Sequence, residues 1–213
     1  MTKTKVSVHR SFTYVLFTTL ISSTIVVSCT RRDETTTTKA DVNSPAYQIA
    51  QSEKISIPDA VELPSNLPNG NTRVATFSAD GVQKYKAQAV AGSNPVTYQW
   101  VFVAPQADLY DVSNNKVGTH SAGPDWQISA ADSMFGQSFT PARTSPGTDA
   151  NSIDWLLLMP KTGKAATGLF ANVSYVQRIV TKGGKAPVDP PASLTDVADV
   201  RYTAIYRFTK QNQ

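Results

Sequence analysis

The chain has very few of the side chains that bind metals or form disulfides. Its 213 residues include one cysteine, Cys29, and two histidines, His9 and His120. A single thiol excludes a disulfide within the chain. A zinc site takes three or four Cys, His or carboxylate ligands, so we predict no metal site. No glycine-rich dinucleotide fingerprint follows a strand either, and we therefore expect no cofactor.

The chain also lacks an apolar run of the roughly 20 residues that a comfortable membrane span needs. A basic start at positions 3–10 is followed by a shorter, mostly apolar stretch over 12–27 and then by the small-residue sequence Val-Val-Ser-Cys at 26–29. This order is typical of a secretory signal, and the tetrapeptide resembles a bacterial lipobox. We expect residues 1–28 to be a lipoprotein signal peptide and Cys29 to carry acyl chains, palmitate among them.

Lipidation would make the membrane the first partner of the mature protein. Thr30, in place of the aspartate that marks retention, predicts a position in the cell envelope of a Gram-negative bacterium, anchored at the outer membrane. Residues 29–48 contain four consecutive threonines and little to bury, and we expect them to be the lipidated cysteine followed by a flexible tether. The remainder, 49–213, suits a single β-rich domain.

The chain has little excess charge once the signal is removed. Its formal net charge is +4, but residues 1–28 hold three basic side chains and no acidic one, so 20 basic residues fall to 17 against 16 acidic ones. A nearly neutral mature chain lacks the basic footprint of nucleic-acid binding. We therefore expect no nucleic-acid partner.

Helical periodicity is weak, and proline and glycine recur between short segments rich in Val, Ile, Thr and aromatic residues. This pattern predicts an all-β fold, an antiparallel β-sandwich or barrel-like single domain of many short strands. The clearest strand is 200–209, whose apolar residues alternate with polar ones that we expect to face water, with Ile205 as the exception. The predicted strands are 73–78 and 82–90, joined by a turn at Asp80-Gly81, then 97–104, 108–112, 116–121, 126–129, 153–159, 168–181 and 200–209.

Three further segments carry specific predictions. The continuous apolar run 153–159 is either a buried strand or a short helical region, and its length with the following Pro160 favours the strand. The polar, Pro/Gly-rich segment 138–152 is predicted to be a long loop. Arg178 lies among apolar neighbours in 173–180, which predicts a buried guanidinium paired with an aspartate.

The densest polar and aromatic cluster is 117–126, which places His120, Asp125 and Trp126 around a Gly-Pro turn. One interpretation is a binding corner in which Trp126 stacks on a sugar ring or another small polar ligand. The other is purely structural, with His120 satisfying a turn and Trp126 filling the core. A hydrolase would have to use an Asp/His pair around Asp111, His120 and Asp125, and it remains the alternative hypothesis.

Several motifs give the chain a family resemblance. It resembles the domain of unknown function 3455 family, secreted proteins of bacteria and fungi. The resemblance implies a β-rich extracellular domain and no particular chemistry. The family's usual cysteine positions hold other residues here, so the disulfide that they imply is absent. The matching stretches are Gly81-Val-Gln-Lys-Tyr85, Trp100 with 105–111, Val117-Gly-x-His120, Gly123-Pro-x-Trp126, 155–158, Val176-Gln-Arg178 with 181–187, and Tyr202-x-Ala-x-Tyr206-x-Phe208.

These observations favour a lipid-anchored envelope protein that acts as a non-catalytic surface binding or structural domain, with a glycan or another envelope protein as partner. An enzyme is the less favoured interpretation. The candidate binding residues are Gln83, Tyr85, His120, Trp126 and Arg178. The candidate catalytic residues are Asp111, His120 and Asp125.

Overall fold

The computed structural model describes residues 40–213, and these form a closed antiparallel barrel in which each strand pairs with the next and the last returns to the first. The predicted signal peptide, Cys29 and most of the predicted tether lie outside the described residues. No helix among residues 40–213 is both long and apolar enough to cross a bilayer. The strands are β1 (Asn71–Ala89), β2 (Tyr98–Tyr110), β3 (Lys116–Ser121), β4 (Asp125–Gln127), β5 (Ser133–Ser145), β6 (Trp155–Pro160), β7 (Tyr175–Gly183) and β8 (Val197–Gln211).

The all-β single domain is confirmed, but several strands are much longer than the sequence predicted. The strands expected at 73–78 and 82–90 are one strand of 19 residues, because Asp80-Gly81 is not a turn. Gly81 lies where β1 approaches β2, and a Cβ there would overlap the backbone of Gln106 and Ala107. Its role is therefore close packing of two strands and not a tight turn.

Other boundaries also change once the strands pair. The two strands expected at 97–104 and 108–112 are continuous in β2. The loop predicted at 138–152 is wrong in its first half, since β5 continues to Ser145 and pairs with β6 on both sides of a bulge at 139–142. The apolar run 153–159 is a strand, as favoured. The segment 168–181 begins with a 3-10 helix, Gly168–Phe170, before β7 starts.

The alternation predicted for β8 is confirmed on its inner face. Tyr202, Ala204, Tyr206 and Phe208 are all buried in the barrel core. Phe208 packs against the ring of Trp126 at 5.5 Å between ring centroids, and against two further phenylalanines of the core. Burying such a side chain contributes about 1.5–3 kcal/mol. Aromatic rings thus fill one part of the barrel lumen, and polar side chains occupy the remaining part.

The outer face of β8, predicted to be wet, is partly covered. Helix α1 (Pro45–Ser52) begins four residues before the domain boundary expected at 49, and its Ile49 packs on the outside of the barrel against Ile179 and Ile205. Arg207, also on this face, is only 6% exposed and donates to the carbonyl oxygen of Ser52. An element outside the sheet therefore overrides the simple alternation of inner and outer residues.

Candidate functional site

A cavity opens where the polar part of the lumen meets one end of the barrel. Its volume is about 320 Å³, within the range of small-molecule sites. We refer to it as the mouth cavity. Apolar walls come from Phe102, Val103, Leu156 and Leu158, and the β3–β4 turn at 122–124 borders it. Its polar side chains belong to five strands, β1, β3, β5, β7 and β8, and they are Gln83, His120, Ser138, Arg178 and Tyr206.

The opening results from a segment of β2 that pairs with a described strand on one side only. β3 pairs with β2 only from Ala107 onwards, so the preceding residues of β2 have β1 on one side and no strand on the other. Pro105 lies in this stretch, opposite Gln83. A proline, which has no N–H to donate, fits a strand at such an edge. The same edge leaves Phe102 and Val103 about half exposed at the rim.

Among the described residues, Arg178 is the only cationic side chain that lines the mouth cavity. Its Nε and Nη2 donate to the backbone carbonyl oxygen of Asp154, at 3.1 and 2.8 Å. Among the described residues no carboxylate lies within 4.0 Å of its guanidinium, so the predicted pairing with an aspartate is wrong. A backbone carbonyl satisfies two donors but carries no compensating negative charge. The positive charge of Arg178 is therefore unneutralised at the cavity.

Three buried side chains at the mouth cavity have donors without partners. No well-aligned hydrogen bond joins the Nε2 of Gln83, the Nε1 of Trp126 or the hydroxyl of Tyr206 to a described residue. The Tyr206 hydroxyl nevertheless lies near Tyr202 and Arg178, and the Gln83 amide lies near Tyr202. All three residues are at most 2% exposed. Each unsatisfied buried polar group costs about 1–3 kcal/mol. These three residues border the mouth cavity, so a polar group bound there would lie near donors that the barrel leaves without a well-aligned partner.

The hydroxyls of the two inward-facing tyrosines of β8, Tyr202 and Tyr206, both have raised pKa values. Burial raises the pKa of Tyr206, and the neighbouring charge of Arg178 opposes that rise. Burial also raises the pKa of Tyr202, with Tyr206 adding to the effect. The two hydroxyls are close enough to influence each other electrostatically, yet neither meets a partner with good hydrogen-bond geometry. Both phenols therefore stay protonated at neutral pH.

His120 is held as a neutral ring against the base of the cavity. Its Nδ1 lies 2.6 Å from the carbonyl oxygen of Asp125, and since a carbonyl can only accept, Nδ1 carries the proton. The ring stacks on Trp126 at 4.8 Å between centroids with a 10° tilt. Burial, together with the smaller effect of the charge of Arg178, lowers the pKa of His120 to about 4 against the opposing hydrogen bond to the carbonyl of Asp125. His120 thus offers an acceptor nitrogen and no positive charge at neutral pH.

A second depression of about 360 Å³ adjoins the first, and Gln83, Phe102, Leu156 and Arg178 border both. We refer to it as the side cavity. Tyr85 lies here, and its hydroxyl donates to the carbonyl oxygen of Gly184 at 2.7 Å. Burial raises the pKa of Tyr85, and the charge of Arg178 opposes the shift. Arg178 therefore sits between the two depressions.

The candidate residues divide into two groups. Gln83, His120, Trp126 and Arg178 meet at the mouth cavity, and Tyr85 borders the adjoining side cavity. The expected Trp126 platform is not open, because the indole is fully buried under His120. Tyr206 was missed as a site residue, since its alternating position predicted only core packing. The signal was its hydroxyl, which on an inward face needs a partner.

The predicted Asp/His pair does not form. Asp111 accepts hydrogen bonds from the backbone N–H groups of Ser113 and Asn115 in the turn after β2. Asp125 accepts from both the N–H and the hydroxyl of Ser121. Neither carboxylate borders the mouth cavity or contacts the imidazole of His120. Both aspartates instead stabilise local turns, as acidic turn residues commonly do.

Within residues 40–213 no three His, Cys, Asp or Glu side chains lie close enough together to hold a metal ion. The residues that line the mouth cavity provide hydrogen-bonding groups, the positive charge of Arg178 and apolar walls.

Comparison with protein families gives one match. The model of a family described as "Protein of unknown function (DUF3455)" matches residues 68–210, about two-thirds of the chain. The chain belongs to this family. No curated protein and no solved structure is significantly similar to it. The DUF3455 match spans the whole barrel from just before β1 into β8, and so includes every residue of both cavities.

Proposed function

We propose that this chain is a lipid-anchored protein of the cell envelope that binds a small molecule in the mouth cavity without catalysing a reaction on it. The observation that carries the proposal is the cavity itself, with buried, unpartnered donors of Gln83, Trp126 and Tyr206 in its wall. Mouths of β-barrels are common ligand sites. The envelope address rests on the signal-like N-terminus and on Cys29.

The chemistry of the side chains argues against the hydrolase. A general base works best with a pKa near the working pH, and burial lowers the pKa of His120 to about 4. The carboxylates of Asp111 and Asp125 already accept hydrogen bonds in turns. Among the described residues of the mouth cavity, no nucleophilic side chain is therefore paired with a base that would activate it.

A small molecule also fits the cavity better than a polysaccharide or a protein. A volume of 320 Å³ corresponds to roughly ten waters at about 30 Å³ each, and so to a ligand of on the order of ten non-hydrogen atoms. The stacking of His120 on Trp126 leaves no indole face for a sugar ring. A glycan or an envelope protein would have to use the rim, where Phe102 and Val103 are half exposed.

The test is recovery of a ligand by the full-length protein. The parent protein, extracted from its host in mild detergent, is incubated with a total small-molecule extract of the host envelope, washed and analysed by mass spectrometry. Leu156, which borders both cavities and pairs with Arg178 across β6 and β7, is replaced by tryptophan to fill the site. Val188→Trp is the matched control, because Val188 is 94% exposed and borders neither cavity.

We expect the parent and Val188→Trp to enrich the same small molecule and Leu156→Trp to lose it. Near-ultraviolet circular dichroism verifies that Leu156→Trp remains folded. Enrichment of nothing by the parent, or equal enrichment by Leu156→Trp, would contradict the proposal.

A further inference from the structure

We propose that the ligand carries a single carboxylate, which binds the guanidinium of Arg178 together with the donors of Gln83 and Tyr206, and that its apolar remainder lies against Leu156 and Phe102. This inference rests on the proposed function and adds the chemical class of the ligand.

The first argument is charge. Arg178 is cationic at any physiological pH, and no carboxylate of the described residues lies within 4.0 Å of it. No aspartate or glutamate borders the mouth cavity. A partly buried cation with no counter-charge is costly, and an anionic ligand removes that cost.

The second argument is the type of hydrogen-bonding group that the site presents. Guanidinium has five N–H donors, of which two are used on the carbonyl oxygen of Asp154. Gln83 and Tyr206 border the same cavity, and their amide nitrogen and hydroxyl have no well-aligned acceptor among the described residues. An ionised carboxylate only accepts hydrogen bonds, and its planar pair of oxygens matches the guanidinium fork.

The third argument separates a carboxylate from a doubly charged phosphate. Arg178 is the only cation of the mouth cavity, because His120 remains neutral there at physiological pH. A single positive charge in an apolar enclosure neutralises one negative charge and leaves a second one uncompensated. Lys185 and Asp154, which carry opposite charges, border the side cavity but not the mouth cavity.

The apolar residues that line the two cavities indicate the chemistry of the rest of the ligand. Leu156 and Phe102 border both cavities, and Leu158 continues the apolar surface inwards. Such a lining favours an aromatic ring or a short alkyl chain beside the anionic group over a polyhydroxylated body.

The experiment uses matched pairs that differ only in charge: 3-phenylpropanoate with 3-phenylpropanamide, and hexanoate with hexanamide. Phenylphosphonate, adjusted to its doubly charged form, is the third arm. Binding to the full-length protein is measured by isothermal titration calorimetry at constant ionic strength. We expect each acid to bind about 10- to 100-fold more tightly than its amide, the range of a charge-assisted hydrogen-bonded pair.

Variants of Arg178 then test the assignment. Arg178→Gln should lose about 10- to 100-fold in acid affinity with little change for the amide, and Arg178→Lys, which keeps the charge but not the fork, should lose less. Arg201→Gln is the matched control, because its side chain is 73% exposed in an ion pair with Asp80 and borders neither cavity. Circular dichroism verifies the fold of each variant.

Each contrary outcome has its own meaning. Equal binding of acid and amide overturns the anionic class of the ligand. Tighter binding of phenylphosphonate than of either acid overturns the choice of a single carboxylate. Both outcomes leave small-molecule binding intact. Acid preference that survives Arg178→Gln overturns the role of Arg178. No binding by any acid also refutes this inference, while the recovery experiment with Leu156→Trp judges the proposed function separately.

Discussion

The buried imidazole of His120 predicts a specific loss of stability between pH 7.5 and pH 5. The ring is only 2% exposed, and burial lowers its pKa to about 4 from an unfolded value of 6.5. Between these two values the unfolded chain binds a proton that the folded chain does not. Stability is therefore highest above pH 6.5 and falls as the pH is lowered towards 4.

The size of the effect follows from the two pKa values. The full difference corresponds to about 3 kcal/mol, and at pH 5 about 2 kcal/mol of it is already lost. For a chain of this size a change of 2 kcal/mol moves the melting temperature by about 4–8 °C. Unfolded Asp and Glu titrate mainly below this window, so histidine dominates the expected change.

The assay is urea unfolding of the full-length protein at pH 7.5 and pH 5, followed by near-ultraviolet circular dichroism. His120→Gln keeps a donor for the carbonyl of Asp125 but cannot titrate, so its free energy of unfolding should change by about 2 kcal/mol less over this interval than that of the parent. The other histidine, His9, lies in the predicted signal peptide, so we expect His120 to be the histidine that titrates in the processed protein. A parent and His120→Gln with the same pH dependence would refute the reasoning.

Two further predictions concern the outer face and the anchor. Arg207→Ala removes a 6% exposed guanidinium from Glu53 and from the carbonyl of Ser52, and should lower the free energy of unfolding by about 2 kcal/mol, whereas Arg201→Ala, at an exposed site, should change it by no more than about 0.5 kcal/mol in urea titrations. A similar loss in both variants would contradict the structural role of Arg207. Incorporation of labelled palmitate should disappear in Cys29→Ser, and persistent labelling would exclude acylation at Cys29.

Where residues alternate regularly, the sequence predicted their inner positions well. Tyr202, Ala204, Tyr206 and Phe208 face the lumen as expected, because side chains of a strand alternate with period two. The prediction of a turn at Asp80-Gly81 was wrong, because this dipeptide lies inside the long strand β1, where the glycine allows close packing against β2. Local turn chemistry cannot reveal that a neighbouring strand will approach the glycine backbone closely.

The candidate site was predicted in part. Gln83, His120, Trp126 and Arg178 were singled out, and all four border the mouth cavity. The partner of Arg178 was predicted wrongly, since sequence spacing cannot distinguish the carboxylate of an aspartate from its backbone carbonyl.

The burial of part of the outer face of β8 could not be predicted from the sequence pattern either. Arg207 belongs to a polar set that normally faces water, and only the position of α1 buries it. Such covering depends on contacts between segments more than 150 residues apart, which no local pattern encodes.

The pairing of the first strand with the last has a consequence for how the protein reaches its mature form. Asn71 lies opposite Gln211, so the barrel cannot close until almost the entire chain is present. During synthesis, β1 has its hairpin partner β2 but lacks the strand that covers its other edge. The edge that β8 later covers, from Asn71 to Lys86, is a site for mispairing with other chains. Assembly is thus most vulnerable to aggregation in the interval before β8 arrives.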